Sequence, residues 1–243
     1  MTYCVGMKLD RGLIFMSDTR TNSGVDNIST FRKNHTWSNP GERVITILSA
    51  GNLATTQSVT SLLDERSKAP EHRQPSIFEL PTMFGVAQLV GETLRDTIQR
   101  NADTGERASS TFNATLLVGG QIAGMEPRVF LVYPEGNFIE ASADTPFLQI
   151  GETKYGRPIL LRAYDPAMTF EEAVKLLMVS FDSTMKANLS VGMPLDISLY
   201  TKDSLKPMPM IRIESDDPYY QKISAGWGDA LKSAFDSLPN PTL

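Results

Sequence analysis

Thr2-Tyr3-Cys4-Val5-Gly6-Met7-Lys8-Leu9, then Asp10-Arg11-Gly12, then Leu13-Ile14-Phe15-Met16-Ser17-Asp18 reads as two β-rich runs around a tight turn carrying Asp and Gly. That is a hairpin signal. Antiparallel pairing returns the end of the second strand to the start of the first, so Asp18 is expected beside Thr2. Thr2 therefore begins a strand rather than a loose tail. If Met1 is removed, Thr2 becomes N-terminal. Its hydroxyl is then a nucleophile and its own α-amine, with an ordinary pKa of roughly 7.7–8.0, can serve as the base. By itself a Met-Thr start carries no chemistry, and an Asp–Lys pair is most simply a surface ion pair of little energetic worth.

The surrounding pattern extends the hairpin. Residues 27–37 contain Phe31-Arg32-Lys33. Residues 43–52 read as a buried strand ending at Gly51, with a helix after it whose apolar positions include Leu53, Val59, Leu62 and Leu63. Residues 77–101 read as a long helix, its regular part starting near Pro81, with the stripe Met83, Val86, Ala87, Val90, Leu94, Ile98. Loops are expected at 70–74 and 102–110. Strands are expected at 111–118, 128–133 and 137–141, with Pro134-Glu135-Gly136 as a turn, and at 147–151 before a turn or helix start. Thr169-Phe170-Glu171-Glu172 is a capping box opening a helix that carries Phe170, Ala173, Val174, Leu177, Phe181 and Met185 on one face. Strands at 195–201 and 210–214 and a helix over 219–238 complete the chain. Runs of strands separated by paired helices argue against a doubly wound parallel sheet and for two mostly antiparallel sheets packed face to face with helices outside.

The order Thr2, Asp18, Lys33, then Ser49-Ala50-Gly51-Asn52-Leu53-Ala54-Thr55-Thr56-Gln57, together with the opening Thr-Tyr-Cys-Val-Gly, resembles the proteasome β-subunits and related N-terminal-nucleophile hydrolases. More narrowly it is similar to the bacterial ancestral β-subunit family, Anbu. The resemblance covers most of the chain in element order and is most specific in the first 60 residues. It implies an α+β fold, a four-layer αββα sandwich, as one domain over residues 1–243. It also implies a threonine peptidase in which Thr2 attacks a peptide bond, Lys33 stabilises the alkoxide and disfavours protonation of the amine, Asp18 orients Lys33, and the Gly51 N–H donates to the oxyanion. A side chain at position 51 is expected to crowd the substrate. Thr21, Phe31, His35, Ser49 and Leu53 occupy positions that line the first substrate pocket in such relatives, although Phe31 and Leu53 fit a plain core role equally well. His35 carries no metal role.

Two regions depart from the family pattern. A serine and an Asp-x-x-Ser-Gly segment usually support the nucleophile. Here Glu152 stands for the serine, Asn188 for the aspartate and Val191 for the second serine, with Ser190 one position away. Glu152, Asn188 and Ser190 are therefore candidate supporting residues. These changes leave three readings open: a peptidase, a hydrolase of small-molecule or crosslink amides, or a degenerate scaffold.

Composition is consistent with all three. The chain has 243 residues, 41% hydrophobic and 21% charged, enough for a substantial core. A net charge of −5 gives no footprint for nucleic acid. One cysteine, Cys4, excludes an intramolecular disulfide, and with no apolar run long enough for a membrane span and no signal-peptide pattern a cytoplasmic setting is expected. Four Asn-x-Ser/Thr matches are then chance. No Cys/His cluster and no phosphate loop appears, so no metal or cofactor is expected. The family implies a homo-oligomer, ring or spiral, acting on peptide or protein. An ATPase partner is left open.

Overall fold

The computed structural model describes residues 2–22, 28–68, 75–102 and 111–242. Two five-stranded antiparallel sheets stack face to face. The first is built from β1 (Tyr3–Leu9), β2 (Gly12–Asp18), β10 (Phe147–Gly151), β11 (Leu195–Thr201) and β12 (Ile211–Ile213), in the order β10-β1-β2-β11-β12. The second runs β5 (Asn34–Asn39), β6 (Arg43–Gly51), β7 (Ala114–Ile122), β8 (Arg128–Val132), β9 (Phe138–Glu140) in chain order. Between them in sequence, β3 (Arg20–Asn22) and β4 (Ile28–Thr30) form a short separate ribbon.

Strand alternation explains why the central strands are apolar at nearly every position. On β2, Ile14 and Met16 face one way and join a helix-facing core with Val5 and Met7 of β1. Leu13 and Phe15 face the other way, into the layer between the sheets, with Cys4, Val44, Leu48 and Leu117. β6 repeats the device: Ile45 and Ile47 join the second helix-facing core, while Val44 and Leu48 lie between the sheets. A strand buried on both faces shows no polar face to break its hydrophobic run.

Helices cover the outer faces. α1 (Leu53–Lys68) and α2 (Met83–Ala102) pack on the second sheet, and every residue of the expected α2 stripe is buried. α3 (Arg157–Ala163) and α4 (Phe170–Ala187) pack on the first. The Thr169 capping box is formed: its hydroxyl accepts from Glu172 N–H, and Glu172 accepts from Thr169 N–H. The four-layer αββα sandwich is thus the observed architecture. α5 (Pro218–Asp236) differs from the other long helices in having no buried residue. Tyr220 and Ile223 touch the first core, while Leu231, Phe235 and Leu238 are exposed.

Boundaries shift where local turns intervene. α2 begins at Met83, because residues 77–79 form a turn ahead of Pro81. β7 begins at Ala114 rather than 111 and continues to Ile122. β3 was not expected, and the helix start expected after Gly151 is a full short helix, α3, with Pro158 in its first turn. The loop expected at 70–74 lies outside the described residues, as does 103–110 of the other; Ala102 itself ends α2.

Candidate active site

Hairpin register brings the first two residues together. Cys4 pairs with Ser17, so Tyr3 lies opposite Asp18, and the Tyr3 N–H donates to Asp18 Oδ1 at 3.1 Å. Lys33 arrives from the other sheet. It sits between β4 and β5, where its carbonyl accepts from Ser49 N–H at 3.0 Å and fixes it against the end of β6. Its ammonium then reaches across to three acceptors: Thr2 Oγ1 at 2.7 Å, Asp18 Oδ1 at 2.8 Å and the Arg20 carbonyl at 2.6 Å. An ammonium has three donors, and each is used. The pair is no surface bridge, since Thr2, Asp18 and Lys33 are 7%, 0% and 4% exposed.

Electrostatically the centre is dominated by burial. Removal from water pushes the Asp18 carboxyl up from its ordinary value. The Lys33 ammonium and the N–H donors of Tyr3 and Gly192 oppose that rise. Burial, with Asp18 adding to it, also pushes the Cys4 thiol up, so this neighbour of Thr2 is an inert thiol packed between the sheets.

Gly51 closes the site from β6. Its φ of +115° is a left-handed value, and a Cβ there would stand 2.5 Å from the Asn113 carbonyl oxygen and 2.7 Å from Ala114 Cα. Glycine is therefore required by the close approach of β7, a backbone reason beyond the expected crowding of the substrate. The ladder also fixes its N–H. Asn52 N–H donates to the Asn113 carbonyl and Ser49 N–H to the Lys33 carbonyl. Antiparallel alternation then turns the Gly51 N–H towards the β5 side, past the end of that strand.

Thr2, Thr21, Lys33, Ser49, Gly51 and Leu53 line one cavity of about 240 Å³, with Arg32, Ala50 and Thr56. Phe31 and His35 do not line it. Phe31 is half-buried, its N–H held by the Thr19 carbonyl, and His35 faces a second cavity along β5. Burial lowers the His35 pKa.

Glu152, Asn188 and Ser190 form a brace around Thr2. Glu152 N–H donates to the Thr2 carbonyl at 2.6 Å. Its carboxylate accepts from Asn188 Nδ2 at 2.9 Å, and Asn188 Oδ1 accepts from Ser190 N–H at 3.0 Å. Two residues on, the Gly192 N–H donates to Asp18 Oδ2 at 3.3 Å. Ser190 thus contributes its main-chain N–H to the brace. Gly151 makes room for this: at φ +82°, its Cβ would stand 1.9 Å from the Thr2 carbonyl oxygen. Arg32, Thr56, the Arg20 carbonyl and the Gly192 N–H were not anticipated. Thr56 follows Leu53 at helical spacing and was legible; main-chain groups leave no side-chain signal.

The proteasome-subunit family profile matches residues 2–198. The chain belongs to the proteasome-subunit family. Within it, the likeness to Anbu structures spans the chain: 48% identity and a TM-score of 0.92 with Anbu from Yersinia bercovieri, covering 100% of this chain and 99% of that one. The helical assembly of the Anbu complex from Pseudomonas aeruginosa gives 46% identity and 0.92, covering 99% and 98%. Proteasome subunit beta 2 of Pyrobaculum aerophilum is 24% identical over 212 residues, 83% of this chain and 90% of the relative. These findings agree with the family expected from the Thr2, Asp18, Lys33 order. Among the described residues no helix is long and apolar enough to cross a membrane.

Proposed function

We propose that this proteasome-family subunit is an N-terminal threonine peptidase. The observation that carries the reading is the buried Lys33 ammonium 2.7 Å from Thr2 Oγ1 and 2.8 Å from Asp18. Cleavage after Met1 is the required first step, because the Thr2 nitrogen is an amide while Met1 is attached and amides are not bases. Once free, the α-amine takes the hydroxyl proton as Oγ1 forms its bond to the substrate carbonyl. Lys33 stabilises the developing charge on Oγ1, and the Gly51 N–H stabilises the oxyanion. The C–N bond breaks as the amine returns the proton to the leaving nitrogen. Water, deprotonated by the same amine, then hydrolyses the ester and restores Thr2. Asp18 holds Lys33; Glu152, Asn188 and Ser190 hold the main chain on either side.

Peptide or protein is the substrate class, and Thr21, Ser49 and Leu53 line the cavity that takes its side chain. Phe31 and His35, carried into the pocket by resemblance, act at most from outside that cavity. The volume of about 240 Å³ is below the usual range for ligand sites, roughly 300–1,000 Å³, and favours a small-amide hydrolase as the second reading. The helical assembly of the Pseudomonas relative supports a homo-oligomer of repeated head-to-tail contacts, ring or spiral. A cytoplasmic setting follows from the same reading.

Intact mass combined with labelling by an epoxyketone or β-lactone tests the chemistry. The expected result is loss of Met1 and one adduct on Thr2, absent in Thr2→Ala. Retained Met1 in pure, folded protein, or hydrolysis undiminished in Thr2→Ala, rejects it. Casein set beside short peptide amides separates peptidase from small-amide hydrolase.

A further inference from the structure

Three successive residues at the end of the first hairpin each hold a different point of the segment that follows α4. Asp18 Oδ2 accepts from the Gly192 N–H at 3.3 Å, the Thr19 hydroxyl donates to the Pro194 carbonyl at 2.7 Å, and Arg20 Nη1 donates to the Leu189 carbonyl at 2.8 Å. The proposed chemistry uses Asp18 and the main chain of Arg20, whose carbonyl accepts from Lys33 at 2.6 Å. It gives the Arg20 guanidinium no task. That guanidinium occupies the space a side chain at 192 would fill. A Cβ built on Gly192 would stand 2.2 Å from Arg20 Cζ, 2.3 Å from Nε and 2.6 Å from Nη2. Gly192 does not have a left-handed φ, so glycine here makes room for the guanidinium rather than for a turn.

We infer that Arg20 is a positioning residue: its guanidinium seats in the notch at Gly192 and holds the segment from Leu189 to Gly192 where the Gly192 N–H reaches Asp18. Two magnitudes support this. The bond from Gly192 to Asp18 is long, 3.3 Å against a common range of roughly 2.7–3.2 Å, so a small outward shift of the segment breaks it. The bond from Arg20 to Leu189 has a charged donor, which makes it the stronger kind. Val191 is buried, but Leu189 is 81% exposed, so the Arg20 contact rather than packing fixes the Leu189 carbonyl. The influence on the site runs through one bond. The Gly192 N–H is among the donors that oppose the upward push of burial on the Asp18 carboxyl. Asp18 in turn holds the Lys33 ammonium at 2.8 Å. Arg20 thus acts on Lys33 twice, directly through its carbonyl and indirectly through its guanidinium. The consequence for catalysis rests on the threonine-peptidase reading; the mechanical hold does not.

Hydrogen–deuterium exchange of the full chain, read by mass spectrometry over residues 188–194 and corrected for intrinsic rates, tests the hold. Loss of a bond to a charged acceptor should quicken exchange at Gly192 about tenfold or more in Arg20→Ala, with the amides of α2 unchanged. Gly192→Ala should do the same by another route. Its Cβ evicts the guanidinium, the flexible partner, and leaves every charge in place. In Arg20→Ala/Gly192→Ala that clash is gone, so the double variant should match Arg20→Ala rather than the sum of the two. Additive effects, or unchanged exchange in either single variant, overturn the proposal. On a peptide amide, Arg20→Ala should lower kcat with KM little changed. It should also move the acid limb of the pH profile to higher pH, because Asp18 loses a donor to its charged form. Quickened exchange with an unmoved acid limb also overturns the positioning role, since it leaves Arg20 as a support for the loop alone. Exchange needs no substrate. Wild-type protein that hydrolyses nothing therefore rejects the peptidase reading, while exchange still decides whether Arg20 holds the Gly192 N–H.

Discussion

Replacing Lys33 with Met should damage stability and catalysis by separable routes. The ammonium is the only charged partner of a fully buried Asp18 among the described residues, and it also donates to Thr2 and to the Arg20 carbonyl. Removing one member of a buried pair typically costs about 3–5 kcal/mol, because the survivor's charge has no compensation. Asp18 has a way out, which is to bind a proton. Burial already pushes its pKa up, and Lys33 is the chief influence holding it down. Without Lys33 the folded-state pKa rises further above the unfolded one. Such a carboxyl binds its proton more tightly in the folded state, so its favourable contribution is complete in acid and is lost as pH rises through the folded pKa. The stability gap between wild type and Lys33→Met should therefore be small near pH ~4 and widest near pH ~8, measured by urea unfolding at fixed protein concentration. Lys33→Met/Asp18→Asn should recover most of the stability, since no buried charge remains. Neither variant should recover activity, with hydrolysis of a peptide amide down by about 10²–10³ or more. A gap that is flat across that pH range, or a single variant within about twofold of wild-type activity, would refute the reasoning.

Gly151→Ala should lose activity out of proportion to stability. The left-handed backbone alone costs roughly 1–3 kcal/mol, and the new Cβ would displace the Thr2 carbonyl, 1.9 Å away; near-normal turnover would contradict this. Asn188→Leu should break the brace to Glu152 and free the Gly192 N–H from Asp18. Loss of a donor to the charged carboxylate raises its pKa, so the acid limb of the activity profile should move to higher pH; an unmoved limb would mean that Asn188 serves only the end of α4. Sedimentation at micromolar concentration should show a large assembly, and a clean monomer near 26.8 kDa would shift weight to the small-amide reading.

What the sequence made legible is what side-chain chemistry and periodicity encode. The Asp10-Arg11-Gly12 turn fixed the hairpin, and the hairpin alone placed Asp18 beside the first residues of the chain. The stripe of α2 and the capping box of α4 were equally plain, because each depends on spacing within one element. The resemblance supplied Lys33 and Gly51, which come from the other sheet and which no local pattern links to Thr2. Three kinds of information stayed hidden. Main-chain groups such as the Arg20 carbonyl and the Gly192 N–H carry no residue signature. The backbone reason for Gly51 was not visible, because the close approach of β7 is a tertiary fact. Phe31 and His35 were assigned by position, but the path of the chain between β4 and β5 turns His35 into a different cavity and leaves Phe31 outside the lining of both.

The two ends of the chain differ in how they tolerate additions. Thr2 is nearly enclosed, with its carbonyl pinned by Glu152 and its hydroxyl by Lys33, whereas the far end of α5 and the residues just after it stand open, Phe235 75% and Leu238 65% exposed. An affinity tag or fluorescent fusion placed ahead of Thr2 would begin inside the cavity that Thr2 lines and cap the nitrogen that the proposed chemistry needs. The same tag at the carboxyl end would leave that cavity untouched. On the proposed chemistry, preparations tagged at the amino end would look inert for reasons of cloning, and recombinant work on this subunit should label and immobilise it through its carboxyl end.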